Sequence, residues 1–302
     1  MASNDQCIIC GNGQFALISN EIREGEEEVL QCDECGFVFL KDFERVRYEE
    51  DYGSLTLDEA WDYETQLLQR AKSLKRATNF IVDICEKLRY KKLIEIGSGI
   101  GASIFSVKDL LPDTNIDCVE NNKRLRSHLE KRFNGTKAYK EIDDVNDTYD
   151  LVFGIQVFEH FPEPLSELKK IEKILNKRGR LYLLFPNHDD WYKKVLPKNS
   201  LREYHKFMFH EAHPFYFTID SFKRLISKTN FEIDEITTFQ DYSVANFMNW
   251  YVRGKPSKNI AQATYVDEKL IDLQREFVRI SELRHNGNNI SALLKKKQEC
   301  VE

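Results

Sequence analysis

No stretch of this 302-residue sequence reaches the roughly 18 consecutive apolar residues needed to cross a bilayer, so no membrane span is expected. The opening Met1-Ala2-Ser3-Asn4-Asp5 lacks the basic-then-apolar order of a secretory signal, and a cytoplasmic location is the expectation. Positive charge is in short supply as well. Against 50 Asp and Glu stand 44 Lys and Arg, a formal net charge of −6, which argues against a broad nucleic-acid or anionic-lipid surface. Cysteine is scarce: of seven, Cys85, Cys118 and Cys300 are scattered and the other four sit near the start. What remains, 41% hydrophobic and 31% charged residues, is globular, with length for one large domain and an accessory module.

The four early cysteines form two matching knuckles, Cys7-Ile8-Ile9-Cys10-Gly11 and Cys32-Asp33-Glu34-Cys35-Gly36. A two-residue gap lets both thiolates of a knuckle face one ion, and the glycine that follows eases the turn. Four thiolates saturate a tetrahedral Zn²⁺ and leave no open position, so Cys7, Cys10, Cys32 and Cys35 are expected to hold a structural zinc. Phe15 to Ser19 and Val29 to Gln31 read as strands of a ribbon hairpin, with Glu24-Gly25-Glu26 at its turn. Cys85 and Cys118 read as core thiols.

The rest is organised around Leu93-Ile94-Glu95-Ile96-Gly97-Ser98-Gly99-Ile100-Gly101-Ala102. Leu93 to Ile96 reads as a buried strand and Ser103 to Leu110 as a helix. Glycines between them allow a sharp turn and close approach to a ligand. The helix start adds unpaired N–H groups and a positive dipole end, which suits a nucleotide-type cofactor. Upstream, charged residues 41–60 with Tyr48 and Tyr52 read as a linker, and Trp61 to Leu88 as one or two helices. Downstream, strands are expected at Asn115–Glu120, Ala138–Ile142, Asp150–Ile155, Arg180–Phe185 and Phe231–Phe239. Helices are expected at Asn121–Arg132, Pro164–Leu175 and Ile219–Thr229. This alternation predicts a doubly wound α/β sheet, which binds ligands at the carboxyl ends of its strands.

The glycine loop also satisfies the loose dinucleotide pattern, with Glu120 placed to hold a ribose hydroxyl, so by itself it leaves NAD and S-adenosylmethionine open. Three features separate them. Glu95 puts an anion two residues before the first glycine, which suits a ligand bearing ammonium and sulfonium groups better than a pyrophosphate. Asp143-Asp144, ending the third strand, offers an acceptor for an adenine amino group. Gln156-Val157-Phe158-Glu159-His160-Phe161 follows the fourth strand. Together these residues resemble the class I S-adenosylmethionine-dependent methyltransferases. That resemblance implies a Rossmann-like, mainly parallel seven-stranded sheet. It also implies a cofactor site of Glu95, Gly97, Ser98, Gly99, Gly101, Glu120, Asn121, Asp143, Asp144 and Gln156.

A cysteine module ahead of such a domain, with His210-Glu211-Ala212-His213-Pro214-Phe215-Tyr216-Phe217-Thr218 after strand five, resembles bacterial sugar and glycan methyltransferases. Members carry His-Glu-His-x-x-Tyr-Phe there; Ala212 is inserted here. The resemblance extends to the stretch from Asp241 to Pro256. It implies methylation of a small or carrier-linked sugar, and the short run after Pro256 favours O- over C-methylation. A neutral histidine is the natural base for a hydroxyl proton. His213 ranks first, His160 second and His210 third, with Glu211 beside them, while His128 and His285 read as surface residues. Trp191, Tyr192, Tyr204 and Tyr216 read as packing residues or a stacking wall. On this reading the chain divides into a zinc ribbon (1–42), a linker with helices (43–90), the methyltransferase domain (91–256) and a C-terminal helical tail (257–302). The tail, with Leu270, Leu273, Phe277 and Ile280 on one face, is a candidate homo-oligomer contact and ends in a solvated Lys295-Lys296-Lys297. Two rival readings are a phenol- or quinone-type O-methyltransferase, and an RNA or protein methyltransferase that binds its partner through the ribbon.

Overall fold

The computed structural model describes residues 6–41, 63–258 and 264–298; the linker with Tyr48 and Tyr52, and Cys300, lie outside them. The chain forms two compact units interleaved along the sequence. One holds the described residues of 63–184, 227–235 and 292–298, and the other those of 6–41, 185–226 and 236–291.

The first unit is built on the sheet that the alternating pattern predicts. Its strands are β4 (Lys92–Ile96), β5 (Asn115–Val119), β6 (Ala138–Tyr139), β7 (Tyr149–Ile155), β8 (Leu175–Pro186), β10 (Phe231–Phe239) and β11 (Asn289–Lys296). Their order is β10-β11-β8-β7-β4-β5-β6, and the β8-β7-β4-β5-β6 run is parallel throughout. Central strands β4 and β7 are covered on both faces, hence their unbroken apolar runs: Leu93, Ile94, Leu151, Val152 and Phe153 are fully buried. Each such side chain contributes about 1.5–3 kcal/mol by leaving water. Connecting helices are α1 (Tyr63–Ser73), α2 (Lys75–Leu88), α3 (Ala102–Leu110), α4 (Lys123–Arg132) and α5 (Pro164–Ile174). Helix α4 starts two residues later than expected because Asn122 caps it, its Oδ1 accepting the N–H groups of Arg124 and Leu125 at 2.9 and 3.1 Å.

Three expectations need correction. The third strand is only Ala138–Tyr139, and Ile142–Asp144 forms a 3₁₀ turn held by reciprocal bonds between Glu141 and Asp144. The fifth strand begins at Leu175, five residues early: Gly179 lets it run tight against β7, since a Cβ there would lie 2.9 Å from the Asp150 carbonyl oxygen. The largest change concerns the C-terminus, which is not a wholly helical tail. Its last described element, β11, fills the sheet between β8 and β10, with Ile290, Ala292 and Leu294 fully buried. Asn187 at one end of β8 donates to Asn288, and Lys296 Nζ reaches Leu175 at the other, so β11 runs antiparallel to β8. Lys295 pairs with Glu232 and Asp234 at 3.2 and 3.3 Å, so that terminus is not simply solvated.

In the second unit, β1 (Phe15–Glu21), β2 (Glu26–Cys32), β3 (Val38–Leu40) and β9 (Phe215–Tyr216) form an antiparallel sheet in that order. Around it lie α6 (Trp191–Val195), α7 (Lys198–Met208), α8 (Ile219–Ser227), α9 (Val244–Arg253) and α10 (Ile271–Leu283), of which α6, α7 and α9 were not expected. Helix α10 is poorly covered, with Leu273 54% exposed. Among the described residues no helix is long and apolar enough to cross a membrane.

Candidate active site

Gly97, Gly99 and Gly101 all have positive φ, at 71°, 52° and 80°, but they serve different ends. A Cβ on Gly97 would lie 2.4 Å from Val157 Cγ2, and one on Gly101 would lie 2.6 Å from Leu129 Cδ2. Those two glycines let the loop fit the protein. Gly99 faces open space, so its missing side chain leaves room for a ligand. Helix α1 fixes the loop from outside: Tyr63 donates its hydroxyl to the Ile100 carbonyl at 2.7 Å, and Leu67 and Ala71 pack on Ala102. Tyr63 is therefore a support of the loop. Its ring also covers His128 at 4.0 Å, so His128 is half-buried rather than the surface residue expected.

Two carboxylates flank the loop. Glu120, at the end of β5, accepts from the Gly99 N–H at 2.8 Å through Oε2 and from the Asn122 N–H at 2.9 Å through Oε1. Burial pushes its pKa up, and those two N–H donors oppose the rise. Glu95 is buried to 2% exposure; Oε1 accepts from Ser103, and Oε2 has no hydrogen-bond partner among the described residues. Burial pushes its carboxyl to about 8, with the Ser103 hydroxyl opposing. The charge of Arg70, on α1, favours the ionised form of both Glu95 and Glu159. Nothing in the sequence singled out Arg70.

The remaining strand-end residues are less uniform. Ser98 is buried, its N–H directed to the Val119 carbonyl at 3.4 Å. Asn121 is exposed, and its carbonyl accepts from Arg126 at 2.6 Å. Asp143 is exposed and paired with Lys170 at 2.9 Å, while Asp144 is spent on the 3₁₀ turn. Gln156, just past β7, holds a left-handed φ of 56°, and its N–H donates to the Leu184 carbonyl at 2.7 Å. A non-glycine residue costs about 1 kcal/mol in that conformation, and such strain concentrates at functional sites. Glu159 and His160 follow in a buried 3₁₀ turn, where burial raises the Glu159 carboxyl to about 8.

In the other unit, His210 and His213 are brought together by a tight turn. The His213 N–H donates to the His210 carbonyl at 3.0 Å and the rings lie 3.8 Å apart. Glu211 is exposed, its N–H bonded to the Glu24 carboxylate at 3.2 Å. Tyr192 and Tyr204 stack on each other at 5.1 Å in the core, so these two pack rather than form an open wall.

The four cysteine sulfurs lie within 4.8 Å of one another, with Cys7–Cys35 at 3.6 Å and Cys10–Cys32 at 3.4 Å. A tetrahedral zinc with bonds of about 2.3 Å sets its sulfurs about 3.8 Å apart, so the cluster fits such an ion. Gly11 and Gly36, at φ 81° and 69°, return N–H bonds of 2.8 and 2.9 Å to the Cys7 and Cys32 carbonyls, which makes the two knuckles near copies.

A parallel sheet with a glycine-rich turn after its central strand, and acids at the next strand ends, defines the class I methyltransferase fold. The chain belongs to the methyltransferase-domain family, whose model matches residues 67–236, and it is an S-adenosylmethionine-dependent methyltransferase. Among solved structures it is similar to the plantazolicin methyltransferase BpumL in complex with SAH. Identity there is 14%, with 84% of this chain and 96% of that chain covered and a TM-score of 0.50. A complex of BpumL with a pentazolic desmethylPZN analog and SAH gives 14%, 84%, 97% and 0.51. The O-methyltransferase of a trans-AT PKS multienzyme from Brevibacillus brevis gives 18%, 80%, 82% and 0.46. At such identities the likeness is one of fold. No curated protein matches the sequence.

Proposed function

We propose that this methyltransferase O-methylates a sugar, with His213 taking the hydroxyl proton. The observation that carries this reading is how the histidine turn is held. The stretch from Phe209 to Tyr216 is stitched into the cysteine-bearing sheet. Arg23 donates to the Phe209 carbonyl at 2.8 Å, Leu40 to the Pro214 carbonyl at 3.0 Å, and β9 pairs with β3 through Val38–Tyr216 and Phe39–Phe215. A cysteine module built this way serves as the scaffold of an acceptor-handling turn. A free-standing nucleic-acid reader would have no need of those bonds.

The cofactor's part is to supply an electrophilic methyl group. The orphaned Oε2 of Glu95 and the open face of Gly99 fit it. Glu95 would meet its ammonium end, Glu120 its ribose hydroxyls, and Asp143 its adenine, with Ser98, Gly97, Gly101, Asn121 and Gln156 shaping the walls. Zinc in Cys7, Cys10, Cys32 and Cys35 would fix the fold of the module. Positioning of the two reactants is the main source of rate. A neutral imidazole at position 213 then accepts the proton, with His210 in ring contact and Glu211 adjacent as auxiliaries and His160 as the alternative base.

The test is a screen of nucleotide-sugars with release of S-adenosylhomocysteine as readout, run beside RNA, protein and phenolic acceptors. Turnover on a nucleotide-sugar is expected, falling about 10²–10⁴-fold in His213→Ala while donor binding is unchanged. Turnover on RNA, protein or phenols alone, or full activity in the variant, would overturn the reading.

A further inference from the structure

The cysteine-bearing unit holds a second group of buried polar side chains, away from both the cysteines and the His210–His213 turn in sequence. Past the carboxyl end of β8 comes Asn187-His188-Asp189-Asp190, then the short helix α6. Asp190 is 1% exposed and fully engaged: Oδ1 caps α6 by accepting the Lys193 N–H at 3.0 Å, and Oδ2 accepts the Tyr204 hydroxyl. Asp189 pairs with Lys194 at 2.9 Å. Lys193, half-buried, has no such partner. Its Nζ lies 2.6 Å from His188 Nδ1 and 5.6 Å from the centre of the Phe209 ring, and no carboxylate among the described residues is within ion-pair distance.

We propose that Lys193 and His188 form an oxyanion-binding site that takes the phosphate or carboxylate group of an acidic acceptor. The hydrogen-bond bookkeeping leads there. An ammonium carries only donors, so the Nζ contact makes His188 Nδ1 the acceptor and leaves the ring proton on Nε2. The pair thus shows a visitor nothing but N–H groups: the remaining Lys193 donors and His188 Nε2–H, which makes no bond among the described residues. A half-buried cation that faces a neutral ring and an aromatic face, with Asp190 and Asp189 acting only from beyond ion-pair distance, is stabilised further when something compensates it at closer range. An oxyanion does so, and it also satisfies the open donors. The same tautomer removes His188 from the candidates for hydroxyl deprotonation, because its accessible nitrogen is already protonated.

The electrostatics agree. Burial, more than the Lys193 charge, holds His188 well below the ordinary imidazole range, so it stays neutral. Burial lowers Lys193 to about 8, against the pull of Asp190 and Asp189, so it remains charged at pH 7. His205, also beside Phe209, is pushed down to about 4 by burial and by Lys193, and adds no charge at that pH.

For which molecule carries the anion, the inference rests on the acceptor reading above; anion binding itself does not. The experiment is calorimetric titration of the full chain at pH 7 with inorganic pyrophosphate, UDP and glucuronate, which separates phosphate from carboxylate as the source. At least one is expected to bind the wild type. Binding is expected to weaken about tenfold or more in Lys193→Met, to survive within a few-fold in Lys193→Arg, and to be unaffected in Lys194→Met. The arginine variant guards against a folding artefact in the methionine one. Bound anion should raise the Lys193 pKa, so binding at pH 8.5 should take up a proton, and a structural lysine would not. Failure of all three probes to bind at millimolar concentration, or equal binding by Lys193→Met, overturns the site. Loss of nucleotide-sugar turnover with anion binding intact would overturn only the proposed acceptor.

Discussion

The two units differ in the ionisable groups they leave without a close partner. Around the glycine loop three carboxyl groups are buried, Glu95, Glu120 and Glu159, all with raised pKa values. In the cysteine-bearing unit Lys193 is lodged against His188, with no carboxylate among the described residues within ion-pair distance and with Asp190 and Asp189 acting on it from further off. A buried ionisable group without a close partner is held towards its neutral form unless a charge of the other sign compensates it. On the proposed reading the acids would meet a cationic methyl donor, and the lysine an anionic acceptor.

The sharpest way to break the comparison is to disrupt the cysteine cluster proposed to hold zinc, because the two units should respond differently. Cys32→Ser is expected to lower bound zinc, measured by mass spectrometry, from about one ion per chain towards none. The loss should cost several kcal/mol of stability, a fall in Tm of about 10 °C. Donor binding by the other unit should fall much less. Equal loss of both would mean that the cysteine cluster supports the whole chain.

A smaller effect separates the glycines. Gly97→Ala places a Cβ 2.4 Å from Val157 in a left-handed backbone, and is expected to cost about 2–4 kcal/mol and to abolish donor binding. Gly99→Ala meets nothing within 4 Å, so it should cost only about 1 kcal/mol of stability while still cutting donor affinity severely. Parallel losses of stability and affinity in the two variants would show that Gly99 does not face the ligand.

The difference between the units also explains what was legible in the sequence. The proposed donor site is written in contiguous pieces: a strand, three glycines and acids at or just beyond successive strands, each read locally. Its corrections are local too, such as the short β6. The cysteine-bearing unit is assembled from three distant stretches; the Cys-x-x-Cys spacing, the ribbon hairpin and the His210–Thr218 stretch were each readable, but not how they come together. The Lys193–His188 pair looks like a solvated lysine near a loop histidine until the chain is folded. Helix α7 carried a readable signal, Leu201, Tyr204 and Met208 at helical spacing, masked by its many charges. Strand β11 was hidden because Ala and Leu favour helices and its partners, β8 and β10, are far off in sequence.

Glu95 adds the finest distinction. Its carboxyl titrates near 8 when folded and near the ordinary 4.5 when unfolded. The unfolded chain therefore gives up that proton first, and the group costs stability increasingly as pH rises from about 4.5 to 8, on the order of a few kcal/mol in all. Glu95→Gln keeps the bond to Ser103 and removes this slope. Its Tm should exceed that of the wild type by more at pH 8 than at pH 5, with Glu159 leaving a residual slope in both.

The central claim, that the acids at the glycine loop are there to meet a cation, is tested most directly by proton counting. Calorimetric titration with S-adenosylmethionine at pH 7, repeated in buffers of different ionisation enthalpy, reports protons released on binding. A protonated Glu95 in the free protein that ionises against the donor's ammonium should release close to one proton in the wild type, and the Glu95→Gln variant should lack that release. Binding with no net proton release, or with the same release in the variant, would contradict the account.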